Sequence, residues 1–211
     1  ENLAITAGLP KPKIYIMDDR SPNAFATGRD KEHAVIAVTT GLLDILEPAE
    51  LEGVIAHELA HIGNNDMLIA TVAAVLVGVV AMIADVILRS GLTGGREGKG
   101  NIVALIGGLV IALAMPLMAT MLKLAISRKR EYLADATGAM LTRYPEGLAS
   151  ALEKINTHGV KMKTAHNATA HLFIANPFGA IKKKGFVQKL FMTHPPAEQR
   201  ISALRGMDKG I

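Results

Sequence analysis

Three residues of this chain are spaced for metal chemistry: His57, Glu58 and His61, in the run AHELAHIGNND at 56–66. Side chains four apart share one face of a helix, so the two imidazoles can converge on one ion while Glu58 is angled toward a water held there. Zinc brings the pKa of such a water toward about 7, and a carboxylate beside it takes the proton as the nucleophile forms. With seven histidines in 211 residues, this pattern arises by chance about 0.01 times per chain, so the motif is informative. The plain alternative, two solvated histidines on an exposed helix, sits poorly with the apolar residues around them.

A catalytic zinc needs a third protein ligand. A metzincin would continue with a glycine and a histidine where this chain has Asn64 and Met67, and Asp66 falls one residue short of that pattern's last ligand. The ligand must come from elsewhere. Glu97 lies in the turn between two apolar runs, and Glu146, Glu153 and Glu198 have no accompanying pattern. Glu131, in SRKREYLADATGA, is the preferred candidate, because two membrane-length runs return the chain to the side it left. Asp135 follows four residues on, on the same helical face, where it can accept a hydrogen bond from a ligand imidazole. The competing reading of Glu131 and Asp135 is a solvated helix start with basic flanks. His33, His158, His166 and His171 have no partner at ligand spacing and are read as non-ligands.

The elements that must position these residues begin with a small β-rich region. KIYIM (13–17) reads as a strand, SPNAFATG (21–28) opens after a turn, and HAVIAVTTGLL (33–43) is a β-branched strand, with a hairpin through 28–32. Pro48 then opens a helix carrying Leu51, Val54, Ile55, Leu59 and Ile62 at helical spacing. Two apolar runs follow: 67–88 contains one charge, Asp85, and 102–126 contains one, Lys123. Each exceeds the roughly 18–20 residues that a bilayer core requires, and a glycine-rich polar turn separates them. Buried helices of a globular core are the alternative, but two such runs would need a much larger domain to cover them. Two further helices, split at Tyr144-Pro145, precede an irregular region from 161 to 191, and HPPAEQRISALRG starts a last short helix. Within the irregular region, FGAIKKKGF (178–186) is either a headgroup-binding patch or a solvated loop.

Composition agrees with this layout. The chain is 50% hydrophobic but only 4% aromatic, so its apolar excess is aliphatic, and its mean hydropathy is +0.29. A net charge of +4, dispersed along the chain, gives no basis for nucleic-acid binding. Having no cysteine, the chain excludes disulfides and thiolate metal sites. It begins at Glu1 rather than Met, which suggests a fragment or processed product, and its start carries no signal-peptide pattern.

HELAH, a hydrophobic hairpin and REYLADATGA, with PNAFATG upstream and HPPAEQRI downstream, together resemble the HtpX group of membrane zinc peptidases, relatives of the CAAX prenyl endopeptidases. The resemblance runs from about Leu9 to Leu204. It implies an α+β fold: a mostly helical gluzincin-like protease domain with a small β-sheet and an inserted two-helix transmembrane hairpin. The corresponding segments are 1–66, 67–126 and 127–211. It further implies His57, His61 and Glu131 as ligands of one Zn2+, Glu58 as general base and Asp135 as support. His194 and Arg200 would lie near the zinc, His194 placed to stabilise the oxyanion, and Asn23, Ala24 and Phe25 would belong to an edge that receives substrate as an added strand. The group normally carries two further hydrophobic segments before the region that begins here, which again suggests a fragment.

The expected activity is therefore a zinc-dependent endopeptidase acting on membrane or unfolded polypeptides, in contact with the lipid bilayer; the oligomeric state is unknown. At 1.5 Å per residue, helices running straight into the spans would put His61 about 9 Å from Met67 and Glu131 about 7.5 Å from Ile126. The charges beside the spans lean slightly toward an active site on the cytoplasmic side of the inner membrane, as the resemblance also implies. The rival readings are a non-catalytic zinc-stabilised membrane scaffold or adaptor, against which the intact Glu58 argues, and a metal-free membrane hairpin protein.

Overall fold

A computed structural model describes residues 1–93, 101–158, 160, 162, 173–174 and 195–207. His194 and the basic stretch 178–186 lie outside the described residues. The fold is α+β, mostly helical with one small sheet.

The sheet has the strand order β1-β3-β2, with β1 at Lys13–Met17, β2 at Ala24–Thr27 and β3 at Val35–Thr39. β1 runs parallel to β3, with Lys13 opposite Val35, and β2 runs antiparallel, with Ala24 opposite Val38. The β2–β3 hairpin therefore forms where the polar run at 28–32 predicts it. Gly28 turns it at φ 153°, and a Cβ there would stand 2.6 Å from the His33 carbonyl oxygen. The strand expected to continue to residue 43 stops at Thr39. The Thr39 hydroxyl accepts from Leu42 N–H at 3.2 Å and caps a short helix, α2 (Thr40–Ile45). A first helix, α1 (Asn2–Thr6), precedes the sheet.

α3 spans Pro48–Gly63. Pro48 suits its first turn, and Glu47 N–H donates to the Glu50 carboxylate at 2.7 Å, which satisfies one of the donors left open at a helix start. Val54, Leu59 and Ile62 are buried as their spacing requires. Two longer helices follow, α4 (Asp66–Thr93) and α5 (Asn101–Thr142), then α6 (Pro145–Thr157) after the expected break, and α7 (Ala197–Met207). Ile36, Leu42, Val54, Ile62, Leu148, Ile155 and Leu204, each at most 2% exposed, form the core of this part. Burying each such side chain contributes about 1.5–3 kcal/mol.

The chain divides into two compact units, one of residues 1–68 with 127–211 and one of residues 69–126. The first holds the sheet, α3, α6, α7 and the last part of α5. In the second, α4 is apolar and uncovered: Val72, Val75, Leu76, Met82 and Val86 are exposed. The segment Asp66–Val86 has a mean hydropathy of 2.7 with 6% of it buried. Among the described residues it is the one segment long and apolar enough to cross a bilayer. Its exposure is contrary to the buried-core alternative. The second apolar run is helical within α5, and several of its side chains lie outside the described residues. The straight path from the histidine helix into the first run does not form: α3 ends at Gly63, and Asn65 turns the chain at φ 55° before α4 begins.

Candidate active site

Three helices build the site. α3 supplies His57, Glu58 and His61, α5 supplies Glu131 and Asp135, and α7 supplies Arg200. The helix carrying Glu131 comes close to the histidine helix through Gly138, where a Cβ would stand 3.0 Å from His57 N and 3.1 Å from its Cα. Only a residue without a side chain lets the two backbones approach so far.

His57 Nε2 lies 3.0 Å from His61 Nε2, and Glu131 brings Oε2 to 3.9 Å from the former and Oε1 to 3.6 Å from the latter. The three candidate ligand atoms lie within 4.8 Å of one another. A tetrahedral ion with bonds of about 2.0–2.1 Å separates its ligand atoms by about 3.3 Å, so this triangle has the size of a zinc site. Two neutral imidazoles and one carboxylate are also a donor set that zinc takes in catalytic sites.

The far nitrogen of each imidazole faces a carboxylate. His57 Nδ1 is 3.0 Å from Asp135 Oδ1, and His61 Nδ1 is 2.6 Å from Asp66 Oδ2. An ionised carboxylate only accepts, so a ring proton on Nδ1 would answer each of them and leave the Nε2 lone pair for an ion. Burial, with His61 beside it, pushes His57 down to about 4, so the ring is neutral at pH 7 as a metal ligand must be. Arg200 is buried and grips Asp135 with two bonds, Nε to Oδ2 at 2.8 Å and Nη2 to Oδ1 at 2.6 Å. Its Nη1 reaches Glu131 Oε2 at 3.2 Å and donates to the Ile174 carbonyl at 3.3 Å. Burial alone would raise the Asp135 carboxyl, but Arg200 and the His57 hydrogen bond hold it down at about 2.

Glu58 is 1% exposed, and the backbone N–H of Ala26 on β2 lies near enough to its carboxylate to act on it. Burial pushes it up to about 7, with the Glu131 charge adding to the rise and His61 and Arg200 opposing it. A carboxylate poised near neutrality can take up and return a proton at physiological pH.

The profile of Peptidase family M48 matches residues 1–208. The chain belongs to peptidase family M48. It is 50% identical over 214 residues to a Protease HtpX homolog of Thermoanaerobacter pseudethanolicus, covering 98% of this chain and 70% of that protein. It is 54% identical over 209 residues to the homolog of Dictyoglomus thermophilum, with 98% and 67% covered. For that of Pyrococcus furiosus the figures are 52% over 220 residues, with 100% and 73% covered. Among solved structures, that of S. mikatae Ste24p matches with a TM-score of 0.61 at 20% identity over 96% of this chain. The chain spans about half of Ste24p (48%), and the likeness is one of fold. The resemblance carried by the four sequence motifs is thus to the right family, and this M48 peptidase is a metalloprotease.

The structure places the remaining site residues of the sequence analysis as follows. Arg200 borders the ligand cluster, its Nη1 3.2 Å from Glu131 Oε2 and its Nη2 3.4 Å from His57 Nε2. Asn23 is 1% exposed, and its side chain reaches Met162 Sδ at 3.6 Å and Ala24 N–H at 3.1 Å. Ala24 is buried, and its carbonyl accepts from Ile174 N–H at 2.9 Å. Phe25 forms an isolated antiparallel bridge with Phe173, their rings 5.1 Å apart and inclined at 68°. Sequence reasoning missed the partners of Asp66. Arg130 pairs with that carboxylate and also donates to the Asn64 carbonyl at 2.6 Å. The signal available for this turn was the Asn64-Asn65 pair, two residues suited to tight turns and, at Asn65, to positive φ.

Proposed function

We propose that this M48 peptidase is a zinc-dependent endopeptidase that cleaves membrane-embedded or unfolded polypeptides at the membrane surface. The observation that carries this reading is the triangle of two Nε2 atoms and one carboxylate beside a buried glutamate. His57, His61 and Glu131 would hold one Zn2+, which supplies Lewis acidity toward a peptide carbonyl and acidifies water. Glu58 would take the proton of the attacking water and return it to the leaving amine. Asp135, held by Arg200, would orient His57, which its burial keeps neutral, and His194 would donate to the developing oxyanion. Substrate would lie extended along β2 near Asn23, Ala24 and Phe25. Pairing at the Ala24 carbonyl requires exchange of the Ile174 bond it now makes. A zinc-stabilised scaffold needs no carboxylate of this kind, so Glu58 favours turnover.

The apolar runs at 67–88 and 102–126 would form a transmembrane hairpin inserted between segments 1–66 and 127–211, in the inner membrane. Lys123, Arg128, Lys129 and Arg130 near the domain end of the second run slightly outnumber Arg89, Arg96 and Lys99 in the polar turn, which favours a cytoplasmic active site. Metal analysis of the chain purified in detergent tests the reading. It predicts one zinc per chain, loss of cleavage of an unfolded model protein on chelation and recovery on adding zinc. A chain that cleaves equally well after chelation would overturn it.

A further inference from the structure

We propose that Asp66 and Arg130 form a positioning clamp that sets His61 for the metal and ties the histidine helix to the glutamate helix. The clamp rests on the zinc reading above and extends it to two residues outside the ligand set. Asp66 Oδ2 lies 2.6 Å from His61 Nδ1 as a hydrogen-bond acceptor, and Arg130 pairs with Asp66 Oδ1 while donating Nη2–H to the Asn64 carbonyl at 2.6 Å. All three side chains are largely buried, with 18%, 12% and 23% exposure for His61, Asp66 and Arg130. At such sites a charge-assisted bond is stronger than at an exposed surface.

Local geometry explains how Asp66 reaches its histidine. Had α3 continued, residue 66 would lie about 140° around the helix from residue 61 at 3.6 residues per turn, on another face. The turn at Asn65, with φ 55°, breaks the helix and brings the Asp66 carboxylate back onto the imidazole. On α5, Arg130 and Glu131 are neighbours that point about 100° apart. Glu131 therefore faces the two Nε2 atoms while Arg130 reaches the turn that ends α3. The ligands of the site come from two segments more than sixty residues apart in sequence, and the clamp spans |i−j| = 66 to join them.

The arrangement repeats one already present at His57. There Asp135 faces Nδ1 and Arg200 holds Asp135. Each ligand imidazole is thus backed by an aspartate, and each aspartate is held in place by an arginine. In both, the carboxylate fixes the tautomer that frees Nε2 and raises the basicity of the ring, and the arginine sets the carboxylate's direction. Arg130 touches neither metal nor substrate and acts on His61 through Asp66, so once Asp66 is gone only the Asn64 bond should remain of its effect.

The test measures zinc affinity by chelator competition on the whole chain in detergent, together with the visible spectrum of the cobalt-substituted protein. Asp66→Ala should weaken zinc binding about 10–100-fold and shift the cobalt bands, and Arg130→Gln should weaken it about tenfold. In the double variant, losing Arg130 should cost clearly less than its roughly tenfold effect in wild type. Asp66→Asn, which keeps an acceptor oxygen, should recover part of the loss. Losses that multiply in the double variant would overturn the clamp. So would Asp66→Ala binding zinc within about twofold of wild type with an unchanged cobalt spectrum. Should Asp66→Ala fail to fold, Asp66→Asn and Arg130→Gln decide: wild-type affinity and spectra in both overturn the proposal. A wild-type chain that takes up no zinc would instead overturn the metal reading itself.

Discussion

Replacing Arg200 by methionine, which keeps the length of the side chain and removes its charge, should cost the metal-free protein about 3–5 kcal/mol of stability at pH 7. The figure follows from what the guanidinium touches. It makes two bonds to Asp135, at 2.8 and 2.6 Å, and one ion pair with Glu131, at 3.2 Å, while only 2% exposed. Without it, Asp135 and Glu131 both lose the guanidinium charge that they share. Asp135 gives a second scale: its net descent from 3.8 to about 2, against burial and with Arg200 ahead of His57 as the cause, corresponds to about 2 kcal/mol. Since the folded pKa of Asp135 is depressed, its contribution is present above about pH 3.8 and disappears as pH falls through about 2. The gap between wild type and Arg200→Met should therefore narrow on acidification. Pulse proteolysis of the detergent-solubilised chain across a denaturant series, in chelator, measures it. Adding zinc should also narrow the gap, because the ion supplies positive charge beside Glu131. In the double variant with Asp135→Asn the two losses should overlap by about 2 kcal/mol. An Arg200→Met protein within about 1 kcal/mol of wild type at pH 7, or additive losses, would refute this account of the buried network.

Glu131→Gln should lose more zinc affinity than the about 10–100-fold expected of a residue behind a ligand, as read by metal content after gel filtration in weak chelator. Gly138→Ala should destabilise the protein by about 1–3 kcal/mol and weaken zinc binding, because the added methyl meets His57 backbone atoms that cannot rotate away; denaturation and chelator titration check both. Glu50 accepts bonds from Glu47 N–H, Ser150 Oγ and Lys154 Nζ, and Glu50→Ala should cost about 2–3 kcal/mol near neutrality. Burial would raise the Glu50 carboxyl, but Lys154 and Ser150 hold it below its ordinary 4.5, so this loss should shrink as pH falls below that value.

What the sequence disclosed depended on how local each signal was. KIYIM, Pro48 and Pro145 mark their elements through side-chain pattern and proline chemistry, and the strand and helix boundaries stand where those residues put them. Thr39 was misread because a β-branched residue reads as strand, while its hydroxyl acts here as a helix cap. His57 and His61 were legible through helical spacing, and Asp135 through its spacing from Glu131. Asp66 was not, since its contact with His61 depends on one residue at positive φ rather than on periodicity. Arg200 lies 143 residues from His57, and only the resemblance carried by HPPAEQRI placed it near the metal; no periodicity shows that packing seats its guanidinium against Asp135 and Glu131.

The central claim is that Glu58 moves the proton at a metal site formed by His57, His61 and Glu131. Glu58→Gln keeps the shape of the side chain and removes its basicity. The direct measurement is zinc content and cleavage of an unfolded model protein, for wild type and Glu58→Gln purified identically in detergent. The account predicts equal zinc in both proteins and cleavage lost by about 10²–10⁴-fold in the variant. A variant that keeps its zinc and cleaves at the wild-type rate would contradict it.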